Sequence, residues 1–317
     1  MKRARLVGID AYDRFPALSG CVNDVVALER LLARNANGDP NFECRALRSD
    51  QSRVDRTALL DAVRTLLAPG VDVALFYFAG HGTQAPNDVF LTTQDGVPGN
   101  PGVGMSEVLG MVTASTIPEI IIILDCCFSG AGGGVPQLGG NVAVVRDGMS
   151  LLTASRPDEV AAETANARGA FSTFLCGALD GGAADVLGKV TLAGLYAYLT
   201  ESFGAFEQTP VMKANLHRLH EIRRCPPAVP LAELRKLPEI FPRQDHELAL
   251  DPSYEPSVEP GNEANEAVFA VLQRCRAAKL VEPIGEEHMY YAAINEKSCR
   301  LTPLGMHYWQ IAQRGRL

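Results

Sequence analysis

The chain has 317 residues, 47% of them apolar, with 29 basic against 37 acidic side chains and a formal net charge of −8. That length accommodates one large and one small domain, and the acidic balance speaks against a chain drawn as a whole to nucleic acid or anionic membrane. No run of 18 apolar residues occurs, and Leu6-Val7-Gly8-Ile9 behind the basic N-terminus is too short for a signal-peptide core, so the expected location is cytoplasmic with no membrane span.

In chain order, Leu6–Ile9 reads as a strand, and Asn23 or Asp24 as a cap for a helix carrying Val25, Val26, Leu28, Leu31 and Leu32. Phe42–Leu47 is a short strand and Val54–Leu67 an amphipathic helix. The near-continuous apolar runs Val71–Phe78 and Ile120–Leu124 suit parallel strands buried on both faces. Val89–Thr93 and Met149–Thr153 are further strands; Ser106–Thr113, Ser172–Leu179 and Leu192–Phe203 are helices. Strands alternating with helices predict an α/β fold with a mostly parallel sheet covered on both faces.

From Cys225 to Gly261 eight prolines recur, which predicts a linker or an extended strap (225–261) between a first domain (1–224) and a small module (262–317). In that module Glu263–Ala278 reads as a helix, Leu280–Pro283 as a turn and Met289–Ile294 as a strand. Thr302–Ala312 reads as a last helix with Thr302 as its cap and Pro303 at its first position. Helix, hairpin and helix in that order suggest a winged helix. Its seven cations against six anions give weak support for phosphate binding, so a regulatory protein partner is expected and nucleic acid is disfavoured.

The eight cysteines, at 21, 44, 126, 127, 176, 225, 275 and 299, include no Cys-x-x-Cys spacing, so reduced thiols and no metal site or cofactor are expected. Two of the apolar strands end in unusual loops: Ala79-Gly80-His81-Gly82-Thr83-Gln84 and Asp125-Cys126-Cys127-Phe128-Ser129-Gly130. In a parallel sheet both loops emerge at the same carboxyl edge, where ligands bind. A histidine between two glycines can approach a substrate closely, and an imidazole within reach of a thiol raises its thiolate fraction. Each part alone has an ordinary explanation: a structural loop, a buried filler cysteine, or a strained vicinal disulfide. The two loops together are far more specific.

The order FAGHG followed 46 residues later, His to Cys, by DCCFSG resembles the caspase-like cysteine peptidases, in particular their metacaspase branch. Gly20-Cys21-Val22-Asn23-Asp24 and Leu151-Leu152-Thr153-Ala154-Ser155 resemble further motifs of that branch, so the resemblance covers residues 4 to 215. It implies an α/β/α sandwich around a six-stranded, mostly parallel sheet. It also implies a catalytic pair, nucleophile Cys127 and base His81, with no third orienting residue required. The oxyanion hole would be the N–H groups of Gly82 and Cys127. Asp24 and Asp125 would line the pocket for a substrate Arg or Lys, with Cys21 and Ser155 as further subsite candidates. Protein substrates with a basic P1 residue follow. Asp24 read by itself remains a candidate helix cap, and Asp125 a candidate acceptor for loop amides.

Ala79 and Phe128 stand where many metacaspases have Ser and His, and Phe128–Gly140 contains no Asp or Glu, so calcium activation is not expected. The glycine-rich stretch before Gly148 makes Arg146 the candidate processing site, followed by Arg156 and Arg168. Two alternatives stay open: a catalytically silent caspase-like scaffold, and a DNA-binding regulator acting through the winged helix.

Overall fold

The strands β1 (Lys2–Gly8), β2 (Phe42–Arg48) and β3 (Val73–Ala79) are joined by α1 (Cys21–Ala33) and α2 (Arg56–Leu66). A side sheet of β4 (Gly82–Ala85), β5 (Asp88–Val97) and β6 (Asn100–Gly104) leads into α3 (Met105–Ala114) and β7 (Glu119–Asp125). Next come β8 (Met149–Thr153), the two-residue strands β9 (Glu163–Thr164) and β10 (Arg168–Gly169), α4 (Ala170–Gly177), β11 (Lys189–Thr191), α5 (Leu192–Phe203), β12 (Val211–Asn215) and β13 (Glu221–Arg224). This computed structural model describes the chain apart from residues 87, 127–144, 155–162, 165–167 and 204–209, and at Glu163, Thr164 and Arg168 it describes the backbone.

The main sheet has six strands in the order β12-β8-β7-β3-β1-β2, all parallel except β12, which runs antiparallel to β8. Period-two alternation sorts the apolar strands onto two faces. Phe76, Phe78, Ile120, Ile122 and Leu124 point to one core, closed by Leu59 and Val63 of α2 and Val108 and Val112 of α3. Val73, Leu75, Tyr77, Ile121 and Ile123 point to the other, closed by Val25 and Leu28 of α1, Phe171 and Leu175 of α4 and Leu195 and Leu199 of α5. The layers are those of an α/β/α sandwich. Among the described residues, no helix is long and apolar enough to cross a membrane.

By contacts the chain divides into residues 1–184 with 189–225, and residues 185–188 with 226–317. The second unit departs from expectation. The proline-dense segment is neither a linker nor a strap. It contains α6 (Leu231–Leu234), α7 (Leu237–Ile240) and β14 (Leu248–Ala249), and its Val229, Leu234, Leu237, Phe241 and Leu250 lie in the unit's core. Pro230 occupies the cap of α6 and Pro238 the first turn of α7, where the missing N–H costs nothing.

After α8 (Glu263–Ala277), residues expected as a turn form β15 (Val281–Ile284), and residues expected as a strand form α9 (Met289–Ile294). β16 (Ser298–Leu301) and α10 (Pro303–Gln313) follow. β14, β16 and β15 make a three-stranded antiparallel sheet in that order. The hairpin on which the winged-helix reading rested is therefore interrupted by a helix. The last helix is as expected: the Thr302 hydroxyl accepts from Gly305 N, and Pro303 opens the first turn. Tyr308 and Trp309 are buried, and Trp309 Nε1 donates to Phe241 O at 2.6 Å, whereas Tyr290 and Tyr291 are exposed.

Candidate active site

The register of the two central strands sets the site. Ala79, the last residue of β3, pairs with Asp125, the last of β7, and Gly80 N donates to Asp125 O at 3.4 Å. The loops that continue to His81 and to Cys126-Cys127 leave the sheet as neighbours. Cys127, with its N–H, and Ser155 lie outside the described residues. Cys126 packs in the core with Ile122 and Leu124 and is 3% exposed, the placement of a filler side chain.

His81 is held from three directions. Its backbone N–H donates to the Tyr12 hydroxyl at 2.8 Å, its ring stacks obliquely 4.8 Å from that of Tyr12, and its Nε2 lies 2.8 Å from Pro16 O. A carbonyl oxygen only accepts, so Nε2 carries the hydrogen and, in the neutral ring, Nδ1 carries the lone pair. Pro16 thus supplies the orienting group that the sequence reading did without. Gly80 is required at its position: a Cβ there would stand 2.6 Å from the Tyr12 hydroxyl. The loop bearing Tyr12 and Pro16 is tied down by the Arg53–Asp13 ion pair and by Leu18 N donating to Asp10 O at 2.8 Å.

His81 O accepts from Thr92 N at 3.0 Å, which makes the facing Gly82 and Leu91 a non-hydrogen-bonded pair of the β4–β5 ladder. In such a pair the residue's own N–H points away from the partner strand, so the Gly82 amide is not consumed by β5.

Asp24 does not cap α1. The helix begins earlier, at Cys21, behind Gly20 at φ 115°, a conformation that favours glycine. Its first amides are met by Asp10, whose carboxylate accepts from Cys21 N at 2.9 Å and Val22 N at 3.3 Å. Asp24 is instead buried and accepts from Gly169 N at 3.2 Å. A Cβ at Gly169 would stand 3.2 Å from Asp125 Oδ2 and 3.3 Å from Asp24 Oδ2, so both carboxylates face one small volume beside Gly169. Asp125 Oδ2 also accepts from the Ser172 hydroxyl at 2.5 Å and lies 3.3 Å from the Tyr77 hydroxyl. Burial, reinforced by Asp10, Asp125 and Asp24, raises the Cys21 thiol far above its ordinary range, which keeps it neutral.

Arg146 is not presented for cleavage. Its guanidinium donates to Val112 O (3.2 Å), Ser115 O (2.9 Å) and Ile117 O (2.8 Å) past the end of α3, and to Asp147 O (2.8 Å). It clamps carbonyls at and beyond the end of α3, and entering a protease pocket would break all four bonds. Arg146→Ala is expected to destabilise the first unit by roughly 1–3 kcal/mol and to leave the intact-chain mass profile as in wild type. Thermal melting with intact-mass analysis checks this; an unchanged melting temperature would remove the clamp.

Residues 1–220 match the caspase domain family, Peptidase_C14. The chain is 25% identical to Metacaspase-1 of Yarrowia lipolytica over 210 residues, 61% of this chain, and spans 43% of that protein's length. Its fold is similar to that of caspase-1 from Spodoptera frugiperda, with a TM-score of 0.54, 12% identity, and coverage of 70% of this chain and 90% of that one. It is equally similar to protein GSU0716 from Geobacter sulfurreducens, with a TM-score of 0.53, 16% identity, and coverage of 71% and 97%. With two thirds of its length in that match and the sandwich, sheet order and histidine loop described above, the chain belongs to the caspase domain family.

Proposed function

We propose that the chain is a cysteine endopeptidase that cleaves protein substrates after Arg or Lys, using Cys127 and His81. The observation that carries this reading is the pairing of Ala79 with Asp125, which starts the His81 loop and the Cys127 loop from adjacent strand ends. In the proposed reaction the Cys127 thiol gives its proton to His81 Nδ1, and the sulfur attacks the substrate carbonyl carbon. The developing oxyanion is met by the N–H groups of Gly82 and Cys127, donors most effective when fixed in advance. The imidazolium then protonates the departing amine as the C–N bond breaks, leaving a thioester. Water, losing a proton to the same Nδ1, attacks the thioester; the acid leaves and sulfur is reprotonated.

Selectivity is assigned to Asp24 and Asp125. Two carboxylates facing one volume are a complementary surface for a guanidinium or ammonium group, which can donate hydrogen bonds to both. Cys21 and Ser155 are assigned to the flanks of the same pocket. No calcium requirement is proposed, because the stretch after Cys127 is free of acids. The second unit is assigned a regulatory role through a protein partner.

A peptide library profiled by mass spectrometry, with and without chelator, tests the reading. Cleavage after Arg and Lys in both conditions is expected. Cleavage mainly after Asp would overturn the pocket, and loss in chelator restored by calcium would overturn the calcium statement. No cleavage of any peptide, with no adduct on Cys127 from an arginyl chloromethylketone, would favour the silent scaffold.

A further inference from the structure

Tyr77 is an anomaly in its strand: a phenol within an apolar run, fully buried, at a place where an unpaired hydroxyl would be costly. Its oxygen lies 2.5 Å from Ser172 Oγ, and Ser172 Oγ donates to Asp125 Oδ2 at 2.5 Å. Ser172, itself 2% exposed, has one proton, which goes to the carboxylate. Tyr77 therefore donates to Ser172 at 2.5 Å, with its hydrogen also within reach of Asp125 Oδ2 at 3.3 Å, so both hydroxyls converge on that carboxylate oxygen. Burial and the nearby Asp125 raise the Tyr77 phenol well above its ordinary range, so it stays protonated as this donation requires.

Ser172 sits in the first turn of α4, whose cap residue Gly169 donates its own N–H to Asp24. The positive end of one helix thus addresses both carboxylates, one through the backbone and one through a side chain. A mid-core serine in a helix commonly turns back on its own helix carbonyls; this one reaches across to β7.

We propose that Ser172 and Tyr77 are positioning residues of the substrate-binding pocket, which fix the Asp125 carboxylate in one orientation and keep it ionised for a basic side chain. The proposal rests on reading Asp24 and Asp125 as the carboxylates that bind the substrate. Two hydrogen-bond donors in series polarise each other, and a donor to the charged form of a carboxylate favours that form. A carboxylate held in this way meets an incoming guanidinium without reorganising.

The test uses the full chain and two peptides that differ only in the residue before the scissile bond, arginine or its uncharged analogue citrulline. For Ser172→Ala the arginine-to-citrulline ratio of kcat/KM should fall roughly 10- to 100-fold, mostly through KM for the arginine peptide. Removing a donor to a carboxylate makes it easier to protonate, so the acid limb of the arginine kcat/KM profile should move to higher pH. Ser172→Thr keeps the hydroxyl and should restore both readouts. Tyr77→Phe should move them in the same direction by less, and it carries the test if the threonine variant does not fold. A merely structural role would lower turnover of both peptides together. An unchanged ratio and an unchanged acid limb in Ser172→Ala and Tyr77→Phe would overturn the proposal while leaving the basic-residue pocket standing. A wild-type enzyme that does not prefer arginine to citrulline would overturn the pocket reading itself, and the positioning role with it.

Discussion

Cys127→Ala and His81→Ala are each expected to reduce peptide turnover by roughly a thousandfold or more, while leaving the fold intact. The thiol is the attacking group in the proposed reaction, and the imidazole is both its base and the acid for the departing amine. Neither role has a substitute among the described residues around the β3 and β7 exits. Cys126→Ala is the control. It removes a thiol from the apolar core beneath the site, so it should cost about 1 kcal/mol of stability and retain most of the activity. Labelling gives an independent readout. Burial raises the Cys44, Cys275 and Cys299 thiols to about 12 and the Cys21 thiol further, so at neutral pH these are protonated and react slowly. An arginyl chloromethylketone should therefore add once, on Cys127. An adduct on Cys126, or an active Cys127→Ala enzyme, would end this assignment.

Asp24→Asn and Asp125→Asn are each expected to lower kcat/KM for arginine peptides by roughly 10²- to 10³-fold, the usual scale for removing one charge from a buried ion pair. The side chains keep their shape, so the loss reports charge rather than packing. The citrulline peptide should change little, because it never paired with the lost charge. Gly169→Ala should produce a comparable loss by a different route. The backbone there, at φ −61° and ψ 141°, is one that alanine adopts freely. The added methyl would instead sit within 3.3 Å of a carboxylate oxygen on either side, where the substrate cation is expected. Steady-state kinetics on the paired peptides separate the cases. If Asp24→Asn and Asp125→Asn both turn over the arginine peptide like wild type, the cation pocket lies elsewhere.

The central strands were the most legible part of the chain, because burial on both faces leaves no polar alternation to misread. Met149–Thr153 and Leu192–Phe203 coincide with the strand and helix expected there. The edge strand β12 was missed: its VMKAN pairs on one side only, and its half-exposed residues carry no clear period. Pro283 argued against a strand at 281–284, yet β15 lies at a sheet edge, where a missing N–H faces outward and proline is tolerated. The alternation in Met289–Ile294 argued for a strand, and tertiary packing of Met289, Ala292 and Ala293 settled it as a helix.

At the site, the histidine loop and the two carboxylates were visible because each is local or follows a strand. Pro16, Tyr12 and Ser172 were not, because each acts on a residue 47 or more positions away. Tyr77 did leave a trace, as the one hydroxyl in a strand with no room for an unpaired one.

Asp10 is a mechanical part of the site as well. Its backbone carbonyl holds Leu18, in the loop that aims the His81 ring, and its carboxylate holds the first amides of the helix that bears Asp24. Asp10, two residues past β1, thus fastens both the loop behind the base and the helix that carries Asp24, and its own N–H donates to Ser49 Oγ at 3.0 Å. In hydrogen exchange such an arrangement behaves as one opening unit rather than two. The amides of Leu18, Cys21 and Val22 should share one protection factor, and the His81 amide on Tyr12 should follow them.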